Sequence, residues 1–360
     1  MSAPGFYLKP TGLLTGTAAA NACDAGTAAR LACGPVAFTS GELIRRNGDA
    51  RDVAVAALSG LRACRLRDDD PDLSQAIEER LAAIVAPRPP FAGLSLDRPR
   101  IMGVVNVTPD SFSDGGRYAS RDAAIAHGRA LLQAGADMVD VGGESTRPGA
   151  APVSLDEELD RAVPVVEALA REGAIVSIDT RHAAVMRAAV AAGARIVNDV
   201  TALVGDPASL ETAAASGAAL VLMHMQGEPQ TMQQDPSYRD APLDLYDYFA
   251  GRLSVCRAAG IEPGRIAVDP GIGFGKRDPH NLAILADLAL YHGLGCAVAL
   301  GVSRKSFIGR LSRGEGTDHR LAGSLAAALA GLDRGVQIIR VHDVAETAQA
   351  VAIWRAIAGA

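Results

Sequence analysis

The strongest constraint on the fold is a rhythm that begins near residue 100 and continues to the end of the chain. Short apolar runs, typical of buried strands, alternate eight times with longer segments whose apolar residues recur at helical spacing. Strands that alternate with helices pair in parallel through right-handed crossovers. Eight such units in about 260 residues predict a (β/α)8 barrel, also called a TIM barrel.

The boundaries of these units follow from the apolar runs and from the residues that interrupt them. Strands are predicted at residues 101–106, 138–141, 175–178, 196–197, 219–223, 266–268, 297–300 and 337–341. Helices are predicted at residues 122–133, 155–171, 183–192, 207–215, 243–259, 279–291, 319–333 and 344–357. The competing architecture is an open, doubly wound sheet. The G-x-G-x-x-G turn of a dinucleotide-binding unit, however, does not follow the first predicted strand.

Residues 1–98 lack this rhythm and are predicted to form a small N-terminal α/β extension of unknown role, ahead of a catalytic domain at 99–360. Its predicted elements are short strands at 6–8, 31–33 and 36–38, an amphipathic helix at 73–86 and a proline-rich linker at 87–90. An acidic run at 68–72 precedes the helix. Such a run can hold magnesium and a diphosphate, but we interpret it as a solvated loop beside the positive end of the helix dipole.

Composition and charge argue against several other classes of protein. The net charge of −6 argues against a nucleic-acid binder, which normally carries a basic face. No apolar run is long enough to span a bilayer, and no secretory signal is visible at the start of the chain. The five cysteines are scattered without a C-x-x-C pair, which indicates unpaired thiols in a reducing cytoplasm rather than a zinc site.

The active site of such a barrel lies at the carboxyl ends of its strands. Every predicted strand here ends in hydrogen-bonding or charged residues, and a few helix caps do not account for all of them. These strand-end residues are Asn106, Gly142 to Arg147, Asp179, Asn198, His224, Asp269, Ser303 to Lys305, Arg340 and His342. The sequence therefore predicts a polar rim above an apolar barrel.

The rim residues divide into three chemical groups. Asp179, Asn198 and Asp269 are carboxylate and amide groups in apolar surroundings, which suit a flat heterocycle that carries several N–H donors. The cationic set suits an anion such as phosphate, and consists of Arg147, Lys305, Arg340 and His342. Asn106, with Asp110 or Asp114 nearby, offers oxygen to a hard cation. The combination indicates an anionic leaving group beside a polar ring.

Three loops carry further signals. Residues 108–116 and 145–151 are polar, contain glycine or proline, and are predicted to close over a substrate. The glycine-rich run at 269–276 lacks the spacing of a phosphate-binding loop, so its glycines are predicted to let the backbone approach a ligand, with Phe274 offering a ring face. The backbone N–H groups at 304–307 and the Ser306 hydroxyl are predicted to receive a carboxylate at a helix N-terminus.

The motifs together resemble the dihydropteroate synthase family, a group of folate-pathway enzymes. The matching motifs are NVTPDSFSDGG at 106–116, GGESTRPGA at 142–150, SIDT at 177–180, NDV at 198–200, MHMQG at 223–227, DPGIGFGK at 269–276, SRKSFIG at 303–309 and RVHDV at 340–344. The resemblance covers residues 100–360. It implies a transferase that joins 6-hydroxymethyl-7,8-dihydropterin diphosphate to p-aminobenzoate and releases diphosphate.

The resemblance also implies roles for individual residues. The residues implied to bind the pterin are Asp179, Asn198, Met223, Asp269, Phe274, Lys305 and Arg340. The residues implied to bind the diphosphate are Asn106, Arg147, Arg340 and His342. Those for p-aminobenzoate are Thr146, Pro148, Phe274, Lys305 and Ser306, with Pro109 and Phe112 contributed by the first loop. Asp179, Lys305 and Arg340 are the expected catalytic residues.

The same resemblance implies Mg²⁺ bound by Asn106 and a homodimer that uses apolar helices at 319–333 and 344–357. Two alternatives remain at this point. A related barrel transfers a methyl group from a reduced pterin, and a non-catalytic protein would bind the pterin without reaction. The motif SRKSFIG, the pair Arg340 and His342, and the two closing loops favour the synthase over the methyltransferase.

Overall fold

The computed structural model describes residues 5–48, 50–64, 71–107, 117–144, 153–228 and 231–359. The acidic run before the first amphipathic helix and the two predicted closing loops lie almost entirely outside these ranges.

The N-terminal extension is a small antiparallel sheet with three helices. Its strands are β1 (Phe6–Leu14), β2 (Ala29–Arg30), β3 (Ala37–Asn47) and β4 (Ala50–Ala57), and its helices are α1 (Gly16–Asp24), α2 (Leu58–Cys64) and α3 (Pro71–Val85). Strand β3 pairs with the other three strands. The strand predicted at 31–33 is wrong. This segment is a 3₁₀ turn in which Ala32 and Cys33 have positive φ angles of 49° and 57°, a conformation that no strand accepts.

Eight parallel strands then close into a barrel. They are β5 (Arg100–Asn106), β6 (Met138–Gly142), β7 (Val176–Asp179), β8 (Ile196–Asp199), β9 (Ala219–Met223), β10 (Ile266–Asp269), β11 (Ala297–Gly301) and β12 (Ile338–Val341). The last strand pairs with the first, which completes the ring and excludes an open sheet. The predicted TIM barrel is confirmed.

The barrel helices follow the predicted order. They are α4 (Arg117–Gln133), α5 (Leu155–Arg171), α6 (Ala183–Ala191), α7 (Ser209–Ser216), α8 (Ala241–Ala258), α9 (Asp278–Ala286), α10 (Ser306–Leu311), α11 (Leu321–Leu332) and α12 (Val344–Gly359). Two further points matter for the site. The helix start predicted within residues 304–307 is confirmed, because the short helix α10 begins at Ser306; its length was not predicted. The helix predicted at 279–291 ends at Ala286, where Asp287 leaves helical geometry and a 3₁₀ segment begins.

The extension and the barrel share buried surface. Tyr7 and Ile44 of the extension belong to the same apolar core as the barrel residues Tyr246, Phe249 and Tyr291. The predicted linker at 87–90 has no regular secondary structure. Arg88 within it donates hydrogen bonds to the carbonyl oxygens of Cys296 and His292. Among the described helices, none is long and apolar enough to cross a membrane.

Candidate active site

The period of two along each barrel strand decides which side chains face the interior. A buried apolar cluster fills the lower interior. On each strand, its members are an even number of residues away from the residue at the strand tip, so both point to the same side of the strand. The last interior positions of the eight strands are Asn106, Gly142, Asp179, Asn198, Met223, Asp269, Gly301 and Arg340. The predicted pterin residues on strands therefore lie in one ring at the carboxyl ends, directly above the apolar layer.

A charged network crosses this ring. Arg340 on β12 donates from Nη2 to Asp179 Oδ2 at 2.8 Å and from Nε to Asp140 Oδ2 at 2.6 Å. Asn198 Nδ2 donates to the same Asp140 oxygen at 2.9 Å. Four strands, β6, β7, β8 and β12, thus present one connected set of a guanidinium, two carboxylates and an amide.

Asp140 is a member of this network that the sequence analysis missed. It is fully buried and lies two residues before Gly142, the last residue of β6, so its side chain also faces the barrel interior. It orients both Arg340 and Asn198. Only residues that follow each apolar run were considered as candidates. A charged residue within the otherwise apolar run Met138–Gly142 was the available signal, because a buried carboxylate needs partners.

The electrostatics of the ring are set by burial. Burial raises the pKa of Asp179 to about 7, and the nearby Asp140 carboxylate acts in the same direction while Arg340 opposes it. Burial also raises the pKa of Asp269, against the opposing effect of Lys305. Carboxyl groups with raised pKa values suit a ligand that brings its own N–H donors into the pocket.

Lys305 and Phe274 form the wall beside Asp269. Lys305 is the N-cap residue of α10, and its Nζ lies 4.7 Å from the centre of the Phe274 ring and donates to the carbonyl oxygen of Ile272. Burial lowers the pKa of Lys305 to about 8, although Asp269 favours its charged form. The amine and the aromatic face therefore lie together, as a planar substrate with a carboxylate requires.

The glycine-rich loop is held mainly by protein contacts. A Cβ atom on Gly271 would lie 2.1 Å from the carbonyl oxygen of His224, and one on Gly275 would lie 2.3 Å from that of Gln226. Both glycines also have positive φ angles. These two glycines allow the loop to pack against the chain that follows β9, and the close approach of the loop to a ligand stays a prediction.

A buried lysine fastens the same two segments. Lys276 Nζ donates to the carbonyl oxygens of His224, Gly271 and Phe274 at 3.1, 3.0 and 2.9 Å, and lies 3.0 Å from His224 Nδ1. Burial lowers the pKa of Lys276 well below its usual value and lowers that of His224 to about 2. These groups were not predicted as a pair, and their contacts hold the backbone on both sides of Phe274.

The other predicted residues lie around this centre. His342 receives support from Ser303, whose Oγ accepts from the His342 backbone N–H at 3.1 Å and lies 3.1 Å from its Nδ1. Ser306 is exposed and accepts a hydrogen bond from Arg310. Asn106 is half-buried at the tip of β5 and makes no side-chain hydrogen bond to another described residue. Thr146, Arg147 and Pro148 lie outside the described residues.

Beside the network, Glu144, Glu158 and His182 lie close enough to resemble a metal site. His182 Nε2 is 3.9 Å from Glu144 and 3.8 Å from Glu158. Arg181, however, contacts both oxygens of Glu144 at 3.3 Å and supplies a positive charge there. Burial raises the pKa of Glu158, which favours the neutral form of this carboxyl.

Comparison with known proteins decides the family. A family model described as "Pterin binding enzyme" matches residues 102–342. Dihydropteroate synthase of Escherichia coli (strain K12) is 47% identical over 264 residues, which are 73% of this chain and 93% of that protein. The chain belongs to the dihydropteroate synthase family. Its activity is that of a dihydropteroate synthase, an alkyl-transferring enzyme of folate synthesis.

Solved structures of dihydropteroate synthases agree with this assignment. The Yersinia pestis enzyme, in complex with a sulfonamide drug, has a TM-score of 0.70 at 48% identity and covers 73% of this chain and 96% of its own. The Xanthomonas albilineans enzyme in complex with 7,8-dihydropteroate has a TM-score of 0.68 at 44% identity and covers 75% of this chain and 98% of its own. The family match begins at residue 102, so the N-terminal extension lies outside it.

Proposed function

We propose that the ring at the strand ends divides the dihydropteroate synthase reaction into three subsites. Asp179, Asn198 and Asp269 accept the N–H donors of the pterin, and Met223 lines its apolar edge. Phe274, Lys305 and Ser306 hold p-aminobenzoate, together with Thr146 and Pro148. The diphosphate is bound by Asn106, Arg147, Arg340 and His342. The observation that carries the proposal is the convergence of Arg340, Asp179 and Asp140 at hydrogen-bond distance, above the apolar layer of the barrel.

The chemistry is a dissociative alkyl transfer. The bond between the pterin methylene carbon and the diphosphate oxygen breaks, and its electron pair leaves with the diphosphate. The arylamine nitrogen then forms the new bond to that carbon and gives up one proton. An ionised Asp179 near the ring stabilises the positive charge that develops on the pterin, and Arg340 and His342 stabilise the leaving group.

Magnesium fits the diphosphate subsite through Asn106. The amide oxygen of Asn106 lies at the tip of β5, free of hydrogen bonds to other described side chains, and oxygen is the donor that Mg²⁺ prefers. When bound, the ion would neutralise charge on the diphosphate and improve it as a leaving group. Arg340 and His342 supply positive charge from the protein itself.

One assay separates this function from the two alternatives. The full-length protein is incubated with the pterin diphosphate, with and without p-aminobenzoate, and diphosphate release is measured. Release that depends on p-aminobenzoate, with formation of dihydropteroate, is the expected result. Methyl transfer from a reduced pterin without diphosphate release, or binding without turnover, would contradict it.

A homodimer is proposed through α11, which the sequence analysis names together with the helix at 344–357, and through the adjoining outer face of α9 and α10. This face carries an open apolar groove of about 540 Å³ that is lined in part by Leu285, Phe307, Leu311 and Ala327. Leu311 is 51% exposed in the single chain. A second copy is the occupant that the family resemblance favours, and sedimentation analysis of the full-length protein and of Leu311→Glu tests it. The variant is expected to sediment as a monomer.

A cytoplasmic location is proposed from the thiols. Cys23, Cys33, Cys256 and Cys296 are free among the described residues, and unpaired cysteines are typical of reducing compartments.

The N-terminal extension, residues 1–98, is proposed to stabilise the barrel against which it packs. Deletion of residues 1–95 is expected to lower the melting temperature or the solubility, and an unchanged, fully active protein would contradict this role.

A further inference from the structure

One arginine of the N-terminal extension joins the start of α8 to the end of α9. Arg51 on β4 contacts both oxygens of Asp240, with Nε to Oδ2 at 2.5 Å and Nη2 to Oδ1 at 2.6 Å. Its Nη1 donates to Asp287 Oδ2 at 2.8 Å. The three side chains are only 24%, 15% and 10% exposed. A forked, partly buried ion pair of this kind fixes position more strongly than a surface pair.

Asp240 links this contact to the start of a barrel helix. It is the N-cap residue of α8, and its Oδ1 accepts the backbone N–H of Leu243 at 3.3 Å. The same carboxylate therefore holds the first turn of α8 and the extension at once. Asp287, the second partner of Arg51, follows directly after α9, and Lys9 of the extension also binds it at 3.0 Å.

The residues just before α8 reach the pocket. Tyr238, two positions ahead of Asp240, donates from its hydroxyl to the carbonyl oxygen of Gly275 at 2.7 Å. Gln233 donates to the carbonyl oxygen of Gly273 at 2.5 Å. These two carbonyls flank Phe274, whose ring faces Lys305. A continuous series of hydrogen bonds and chain segments thus connects Arg51 to the aromatic wall of the pocket.

We infer that Arg51 is a positioning residue for substrate binding, acting through Asp240 and Tyr238 on the glycine-rich loop that carries Phe274. The inference rests on the proposed assignment of Phe274 and Lys305 to the substrate pocket. The extension then does more than add stability, because it fixes the base of the segment that supports the pocket wall. Loss of the fork would remove one of the two arginine contacts that hold the first turn of α8, the other being Arg46 with Asp244, and would allow Phe274 to move.

The test compares Arg51→Ala with Asp240→Asn in the full-length protein. Asparagine is as good an N-cap as aspartate, so Asp240→Asn removes the ion pair and keeps the cap. Each variant is expected to raise KM for the pterin diphosphate about threefold to tenfold, the range of coupling through a contact network, and to change kcat less than twofold. Because Asp240→Asn removes only a contact that Arg51→Ala also removes, the double variant should be no worse than Arg51→Ala alone.

Tyr7→Phe is the matched control. The Tyr7 hydroxyl anchors the extension to Asp247 at 2.8 and 2.9 Å, farther along the same helix and away from its N-cap. This variant should lower the melting temperature by loosening the extension but leave KM unchanged. A purely structural role for Arg51 would make Arg51→Ala and Tyr7→Phe behave alike.

The outcomes are distinct. An unchanged KM in Arg51→Ala and Asp240→Asn, an equal rise in Tyr7→Phe, or additive effects in the double variant would each overturn the inference. If Arg51→Ala does not fold, Asp240→Asn alone gives the answer. A wild-type protein without p-aminobenzoate-dependent diphosphate release would instead overturn the proposed function, so the two failures are separable.

Discussion

Arg340 and Asp179 are hydrogen-bonded to each other, with Nη2 donating to Oδ2 at 2.8 Å, although they are 161 residues apart in the sequence. The pair unites the group proposed for the diphosphate with a group proposed for the pterin. Asp140 holds the same guanidinium through Nε. Arg340 can therefore release Asp179 to a substrate and still remain paired, which makes Asp179 the informative residue to change.

Asp179→Asn is expected to lower kcat at least about 100-fold, the usual cost of removing one preorganised electrostatic group. Stability should fall little at pH 8 or even rise. The pKa of Asp179 is raised to about 7 in the folded protein, so its ionised form is disfavoured there and the neutral amide removes that cost. Steady-state kinetics and thermal melts measure both effects. The control is Asp318→Asn, at a side chain that is 87% exposed. Near-normal turnover in Asp179→Asn would contradict the proposed catalytic role of Asp179.

The pH profile of kcat/KM is expected to be bell-shaped, because the active form needs Asp179 ionised and Lys305 protonated. Activity should fall as pH drops below about 7, where Asp179 gains a proton, and as pH rises above about 8, where Lys305 loses one. Lys305→Arg keeps a positive charge throughout this range. An alkaline limb that persists unchanged in Lys305→Arg would show that another group is responsible.

Lys276→Met is expected to lower the free energy of unfolding by about 2 to 3 kcal/mol, because three buried carbonyl oxygens lose their donor. The same contacts hold the backbone beside Phe274, so KM for the pterin diphosphate should rise as well. Chemical denaturation and kinetics of the same preparation measure the two effects. A destabilised variant with unchanged KM would limit Lys276 to a structural role.

Glu158→Gln is expected to preserve or raise stability, and more so at pH 8 than at pH 5. Burial raises the pKa of Glu158 in the folded state, so the wild-type protein loses stability as pH rises above the pKa of the unfolded chain. The neutral side chain does not titrate and avoids that loss. Melting temperatures across this pH range give the measurement, with the exposed Glu211→Gln as control. A large fall in melting temperature at pH 8 would point to a cation bound by the charged form.

Much of the fold and part of the site follow from local sequence. Helix α5 has the predicted bounds, and β9 matches its predicted range, because periodicity and flanking residues are local signals. The positions of Asp179, Asn198, Asp269 and Arg340 follow from one rule about strand ends. The helix predicted at 279–291 ends at Ala286 instead. Asp287, where it breaks, is a partner of Lys9 and Arg51 from the distant extension.

The sequence by itself determined the order of strands and helices, the barrel, and the polar rim, since each depends on residues that are neighbours in the chain. Tertiary structure alone decided that Asp140 unites Arg340 with Asn198, because those residues meet only after eight strands close into a ring. It also decided that Arg51 reaches Asp240, 189 positions away. Such contacts have no local signal, because they arise from the relative placement of packed elements.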